Sequence, residues 1–77
     1  MQDISLLSDL PIGKESKIET LSLSSDIRQR LIDLGFVKGT NIKCVLKNPS
    51  GETFAFLIRQ TLIALRKEDA EKISVTL

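Results

Sequence analysis

The sequence predicts a small, mainly β domain with one short helix, and three observations support this fold class. The chain has 77 residues, enough for one hydrophobic core but not for two, so residues 1–77 are expected to form a single domain. Most of the second half alternates apolar and polar residues, which is typical of half-buried strands. Apolar residues recur at clear helical spacing in only one stretch, which follows Leu23.

The first half contains a weak strand and then the helix. Residues 14–23 are strand-like, with Ile18, Leu21 and Leu23 as the side chains expected to be buried. Three residues offer oxygens that can cap the start of the helix, namely Ser24, Ser25 and Asp26. The predicted apolar stripe of the helix consists of Ile27, Leu31, Ile32 and Leu34, and its polar face of Arg28, Gln29, Arg30 and Asp33.

Gly35 is expected to end the helix, because glycine adopts a positive φ without strain from a Cβ atom. Phe36 follows at the position where a Schellman motif makes an apolar contact, so it should fold back onto Leu31. A helix of about three turns depends on such packing, since short helices are marginal on their own.

The second half is expected to form four short segments. The first is a strand whose apolar side carries Ile42, Cys44 and Leu46. After a turn at residues 48–52, a second strand places Phe54, Phe56 and Ile58 on one face. Residues 62–65 are expected to form a third strand, and residues 66–72 a helical turn around Ala70. A closing strand then follows, with Ile73, Val75 and Leu77 alternating along it. Both a small barrel and a compact α+β sheet fit this pattern.

A candidate interaction surface follows from the predicted hairpin. If Gln60 and Thr61 form a two-residue turn, Ile58 faces Ile63 and Phe56 faces Leu65 on the core side. The opposite face then collects the predicted partner-binding residues Leu57, Arg59, Leu62 and Ala64. Two leucines on an outward face suggest docking or self-association. The alternative is that a loop or terminus covers them, or that they are scattered surface residues.

The composition argues against an enzyme. The chain has no histidine, which excludes imidazole catalysis and imidazole metal ligands, and its one cysteine cannot form a thiolate zinc site. Cys44 is interpreted as buried filler rather than a reactive thiol, since apolar burial raises the pKa of a thiol. The carboxylates near residues 68–71 lie among basic residues and read as a solvated helical face. We expect no catalytic, cofactor or metal residues.

The chain is expected to be cytoplasmic, because a small domain that cannot form a disulfide fits a reducing compartment. No signal peptide is visible, and the apolar runs fall well short of the ~20 residues that cross a bilayer. A nucleic-acid-binding barrel is the alternative function, with a basic strip formed by Lys38, Lys43, Lys47 and Arg59. The net charge of +1 and the lack of Tyr and Trp argue against it, since such binders usually offer aromatic stacking surfaces.

One structural motif runs in order along the chain and consists of Leu34, Gly35, Phe36, Gly39, Pro49 and Gly51, followed by residues 63–66 and then Ala70 and Ile73. These ordered residues resemble the FeoA family, ferrous iron transport protein A. The opening residues 7–13 also look like the start of that family, so the resemblance covers nearly the whole chain. This sequence departs from the family pattern at Lys38, where members usually carry Pro, and near Gln60, where they usually carry Gly.

The resemblance implies an SH3-like barrel of about five strands. It also implies a cytosolic accessory of FeoB, the membrane ferrous-iron transporter with a GTPase domain, which would act by protein–protein interaction in assembly or regulation. Partners expected on this basis are the cytosolic part of an FeoB-like transporter and, weakly, a second copy of the chain. Neither nucleic acid nor direct membrane insertion is expected.

Overall fold

The computed structural model describes residues 3–76, which form one antiparallel sheet of six strands and two helices. The elements are β1 (Ile4–Leu6), a 3-10 turn (Leu7–Asp9), β2 (Glu15–Leu21), α1 (Ser25–Asp33), β3 (Asn41–Lys47), β4 (Thr53–Ile58), β5 (Thr61–Arg66), α2 (Lys67–Ala70) and β6 (Ile73–Thr76). The strand order β1-β6-β2-β3-β4-β5 makes β1 and β5 the two edges of the sheet. The mainly β fold class with one short helix is therefore confirmed.

The sheet wraps around one apolar core. Its central side chains are the fully buried Phe36 of the loop after α1 and Phe56 of β4. The other buried apolar residues are Leu7, Leu10, Ile18, Leu23, Leu31, Ile42, Cys44, Phe54, Ile58, Leu65, Ala70, Ile73 and Val75. Every strand from β2 to β6 contributes to this set, as the alternation in the sequence predicts. Leu77, which was expected in the closing strand, lies outside the described residues.

The end of α1 forms the predicted Schellman motif. Gly35 has a φ of +114°, and its N–H donates to the carbonyl of Ile32 at 3.0 Å. The N–H of Phe36 donates to the carbonyl of Leu31 at 2.9 Å, and both of these side chains are buried. Leu34, expected on the buried stripe, is instead 42% exposed. The chain turns at Gly35 directly after Leu34, and Phe36 fills the core there.

The start of α1 matches the expected position but not the expected contact. Ser24 lies at the N-cap with extended dihedrals, and its side chain makes no capping hydrogen bond. Ile27 is exposed, so the predicted stripe contributes little beyond Leu31 and the half-buried Ile32. The helix therefore covers the core with a single row of side chains.

The turn between β4 and β5 lies one residue earlier than predicted. Arg59 and Gln60, not Gln60 and Thr61, occupy the two turn positions, with φ values of 48° and 65°. Such paired positive φ values define the type I′ turn, whose twist matches that of a hairpin. The predicted pairs are therefore wrong: Phe56 pairs with Ile63 rather than Leu65, and Ile58 with Thr61 rather than Ile63.

The prediction of which face each hairpin residue occupies survives this error. Because the partner of every β4 residue moves by two positions, each paired side chain of β4 and β5 stays on its predicted side of the sheet, and only Arg59 leaves the outer face for the turn. Phe56 and Ile58 remain on the core side, and Leu57 and Leu62 remain on the outer side.

Strand β1 was not predicted, and it brings the strand count to six. Ile4 pairs with Thr76 and Leu6 pairs with Ser74 of β6. A segment of three residues carries too little periodicity to indicate a strand. Its conformation depends on a partner about 70 residues away in sequence.

Candidate interaction surface

A β-bulge in β3 turns one leucine from the core to the outside. Cys44 pairs with the core residue Phe56, but the next partners are Leu46 and the outward-facing Ala55. The extra residue, Val45, shifts the alternation by one position. Leu46, predicted to be buried, is therefore 59% exposed. The prediction for Leu46 is wrong because it takes β3 as a regular strand. The sequence does carry one sign of the bulge, since Cys44, Val45 and Leu46 are three consecutive apolar residues that break the alternation.

The outer face of the β4–β5 hairpin carries a cross-strand pair of leucines. Leu57 pairs directly with Leu62, and these residues are 39% and 61% exposed. Directly opposed residues on one face have Cβ atoms about 5 Å apart, so the two side chains form one apolar surface. The adjacent pair on this face is Ala55 with Ala64, which places Leu46 beside it on the third strand.

We call this surface the outer patch, defined as Leu46, Ala55, Leu57, Leu62 and Ala64. The structure thus brings together three of the four partner-binding residues predicted from the sequence, and adds two others. Arg59, the fourth, lies in the turn instead. Its side chain packs over Gly35, where an added Cβ would come within 2.8 Å of the Arg59 Cδ.

Basic residues border the outer patch. Lys43 of β3 pairs with Leu57, which puts an exposed cation beside Leu57 on the outer face, on the side away from Leu62. Arg59 lies at the turn, and exposed Arg66 ends β5. Arg66 also lies 3.7 Å from the carboxylate of Glu68 in a solvent-exposed ion pair. Such exposed pairs contribute little to stability, so they leave Arg66 free to rearrange.

Other exposed apolar side chains lie at the opposite end of the sheet. Ile4 and Leu6, both on the edge strand β1, are 64% and 41% exposed. The strand order separates β1 from the β4–β5 hairpin by three strands. These residues are therefore a useful reference for the outer patch, since their side chains are exposed to a similar extent but lie on the opposite edge of the sheet.

The structure does not preserve the basic strip that a nucleic-acid interface would need. Lys47 lies on the core side of β3 with its Nζ 5.3 Å from the centroid of the Phe54 ring, and Lys38 pairs with Glu19 at 3.3 Å. All three phenylalanines, the only aromatic residues of the chain, are buried. The surface therefore offers no aromatic ring for base stacking.

Cys44 is fully buried in the core, and this burial raises the pKa of its thiol above the ordinary value. Lys47 and a backbone hydrogen bond oppose the shift but do not cancel it. A protonated buried thiol is a poor nucleophile, which supports its interpretation as filler.

Within residues 3–76, no group of three or more His, Cys, Asp or Glu side chains is arranged to hold a metal ion. None of the helices described there is long and apolar enough to cross a membrane.

Comparison with known proteins identifies relatives along nearly the whole chain. A family model described as the FeoA domain matches residues 6–77. The Fe(2+) transport protein A/Fe(2+) transporter FeoB fusion protein of Porphyromonas gingivalis is 34% identical over 71 residues. That match covers 92% of this chain but only 8% of the fusion protein, so the chain corresponds to a small part of this relative.

Solved structures share the same architecture. The solution structure of FeoA from Chlorobium tepidum superimposes with a TM-score of 0.91 at 29% identity, covering 95% of this chain and 70% of that one. The crystal structure of Stenotrophomonas maltophilia FeoA complexed with zinc gives a TM-score of 0.80 at 35% identity, with 92% and 88% covered. The latter is described as a prokaryotic SH3 domain protein, so the six-stranded sheet has an SH3-like fold.

Proposed function

Since this chain belongs to the FeoA family of ferrous iron transport proteins, we propose that it binds the cytosolic part of an FeoB-type transporter and acts there as an accessory. The outer patch supplies the contact. The chain itself performs no catalysis, and its effect is on assembly or regulation of the transporter.

The fusion protein of Porphyromonas gingivalis is the observation that carries this proposal. There, a segment similar to this chain and an FeoB transporter are parts of one polypeptide. Covalent linkage holds two domains at a high effective concentration, commonly in the millimolar range for short linkers. Such an arrangement is useful when the two domains work together. We propose that the same two partners meet in the present case through a binding surface.

The outer patch has the properties that such a surface needs. Two paired leucines and Leu46 expose apolar area on a rigid sheet, while the neighbouring cations keep the rim polar. Protein interfaces commonly combine an apolar centre with a polar rim. A sheet face also needs little backbone rearrangement on binding, because the pairing of the strands fixes the main chain.

The proposal predicts that lysines on the outer patch abolish binding. Leu57→Lys with Leu62→Lys replaces the apolar pair by two charges, which would have to be desolvated in the complex. The binding of purified chain to the cytosolic region of the transporter from the same organism should weaken by at least tenfold, as measured by titration calorimetry. GTP hydrolysis by that region, with and without the chain, reports any regulatory effect.

The control is Ile4→Lys with Leu6→Lys, which adds the same charge at residues of similar exposure on the other edge strand, β1. Binding should be retained in this variant. Equal loss in both double variants would show that charge alone is responsible. Full binding by the Leu57→Lys, Leu62→Lys variant would remove the outer patch from the interface, and no binding by the unaltered chain would reject the proposed function.

A further inference from the structure

Strand β5 is an edge of the sheet and has one unpaired side. Its partner β4 lies on one flank, and among residues 3–76 no strand pairs with the other flank. An edge strand presents main-chain N–H and C=O groups to which another extended chain can bind. Which residues offer these groups depends on the phase of the β4–β5 hydrogen bonds.

The phase follows from the two ends of the hairpin. In a two-residue hairpin, Ile58 and Thr61, which flank the turn, form a hydrogen-bonded pair, and such pairs then alternate with non-hydrogen-bonded ones. The same alternation makes Glu52 and Lys67 a hydrogen-bonded pair at the open end of the hairpin. The N–H of Lys67 does donate to the carbonyl of Glu52, at 2.9 Å. The main-chain groups of Leu62 and Ala64 therefore point away from β4, toward the free edge.

The edge lacks the features by which sheets usually prevent pairing. Residues 61–65 contain no charged residue and no proline, and β5 has no bulge in its pairing with β4. Natural edge strands commonly carry lysines, prolines or bulges at such positions. Leu62 and Ala64 combine free main-chain groups with side chains in the outer patch.

The positive charge of the β4–β5 hairpin favours an acidic segment as the strand that would pair with this edge. Residues 53–66 contain two arginines and no carboxylate, whereas the rest of the chain has nine basic and ten acidic residues. The hairpin thus carries a local charge of +2 in a chain of net charge +1. Arg59 lies at one end of β5 and Arg66 at the other.

We infer that β5 binds an extended, acidic segment of the partner protein as a seventh strand, with its main chain on Leu62 and Ala64 and its carboxylates near Arg59 and Arg66. Alternate apolar side chains of that segment cover Leu62. This inference rests on the proposed function, since it describes how the transporter is held. A second copy of the chain is disfavoured as the occupant, because it would place two positively charged hairpins side by side.

The test replaces one outward-pointing amide. Ala64→Pro removes the N–H of residue 64, and proline is tolerated on an edge strand when that N–H does not serve the sheet. Binding to the cytosolic region of the transporter should weaken by at least tenfold. Ala64→Ser is the matched comparison, because it also changes the side chain but retains the N–H, so Ala64→Pro should bind at least tenfold more weakly than Ala64→Ser.

A second measurement needs no substitution. Amide hydrogen exchange in the unaltered chain should be fast at Leu62 and Ala64 and slow at Ile63 and Leu65, whose N–H groups face β4. Adding the transporter region should slow exchange at Leu62 and Ala64 by at least tenfold. This readout also holds if the proline variant is poorly folded, which its circular dichroism spectrum would reveal.

The outcomes separate the two proposals. Tight binding of a folded Ala64→Pro variant, or unchanged exchange at Leu62 and Ala64 in the complex, would overturn strand addition while leaving the transporter as partner. A dimer of the unaltered chain that Ala64→Pro abolishes, with transporter binding intact, would assign the edge to a second copy instead. If the unaltered chain does not bind the transporter at all, both proposals fail.

Discussion

Arg59 and Gln60 adopt a backbone conformation that is unfavourable for residues with a Cβ atom. Their φ values of 48° and 65° lie in the left-handed region, which costs roughly 1–2 kcal/mol for an L-residue. The type I′ turn needs this conformation to join β4 and β5 without splaying them. Glycine would adopt this conformation without strain from a Cβ atom, but neither turn position carries it.

Gln60→Gly is therefore expected to stabilise the protein. Removal of the Cβ relieves the strain, and the greater freedom of glycine in the unfolded chain offsets part of the gain. We expect an increase of about 0.5–1 kcal/mol in the free energy of unfolding, measured by urea denaturation. Gln60→Ala keeps the Cβ and serves as the control. A midpoint for the glycine variant no higher than that of the alanine variant would refute the strain.

At the scale of elements, the end of α1 and the β4–β5 turn meet through one contact. Gly35 follows α1 with a φ of +114°, and the Arg59 side chain lies where a Cβ at residue 35 would go. These two segments, which are distant in sequence, can approach this closely because residue 35 has no side chain. The guanidinium group also lies near the C-terminal end of a helix, where a positive charge is favourable.

Gly35→Ala should destabilise the protein by two separable effects. Backbone strain at this φ costs at least about 1 kcal/mol, and the contact with Arg59 adds to it. In an Arg59→Ala background only the strain remains, so the cost of Gly35→Ala should be smaller. Thermal and urea unfolding of the four variants measures the difference.

Gly39→Ala provides the comparison for that experiment. Gly39 also has a positive φ, of +90°, but nothing lies within 4 Å of where its Cβ would be. Its substitution should cost strain alone, and by the same amount with or without Arg59. A Gly35→Ala cost that is equally independent of Arg59 would contradict the packing of this arginine over Gly35.

At the scale of the whole molecule, adjacent residues of β4 serve different purposes. Phe56 is fully buried in the apolar core of residues 3–76, whereas Leu57 faces outward on the outer patch. A domain of this size depends on few core side chains, because it buries a smaller fraction of its surface than larger proteins do. One face of β4 thus supports the core, and the opposite face carries the proposed binding surface.

Phe56→Ala should cost about 3–5 kcal/mol, the usual range for truncation of a buried phenylalanine. Total stabilities of native proteins are about 5–15 kcal/mol, so this single substitution should remove a large fraction of the free energy of unfolding. Leu57→Ala should change stability by less than about 1 kcal/mol, since most exposed substitutions have small effects. Similar losses in both variants, measured by urea denaturation, would contradict the division between the two faces.

The sequence by itself determined the features that depend on neighbouring residues. It predicted the helix, its Schellman end at Gly35 and Phe36, the faces of β4 and β5, and the outward position of Leu57 and Leu62, but not their direct pairing. Each of these follows from local spacing or from the conformational freedom of a single residue, which neighbouring segments do not change. The family resemblance likewise depends on ordered motifs and was readable without a structure.

Only the tertiary structure decided the features that depend on pairing between distant segments. Strand β1 exists because β6 lies beside it, and the bulge that exposes Leu46 is defined only against β4. The turn at Arg59 and Gln60 was misplaced because neither residue favours positive φ, so nothing local marked it. A strand's register and its free edge are properties of the whole sheet, and no single segment encodes them.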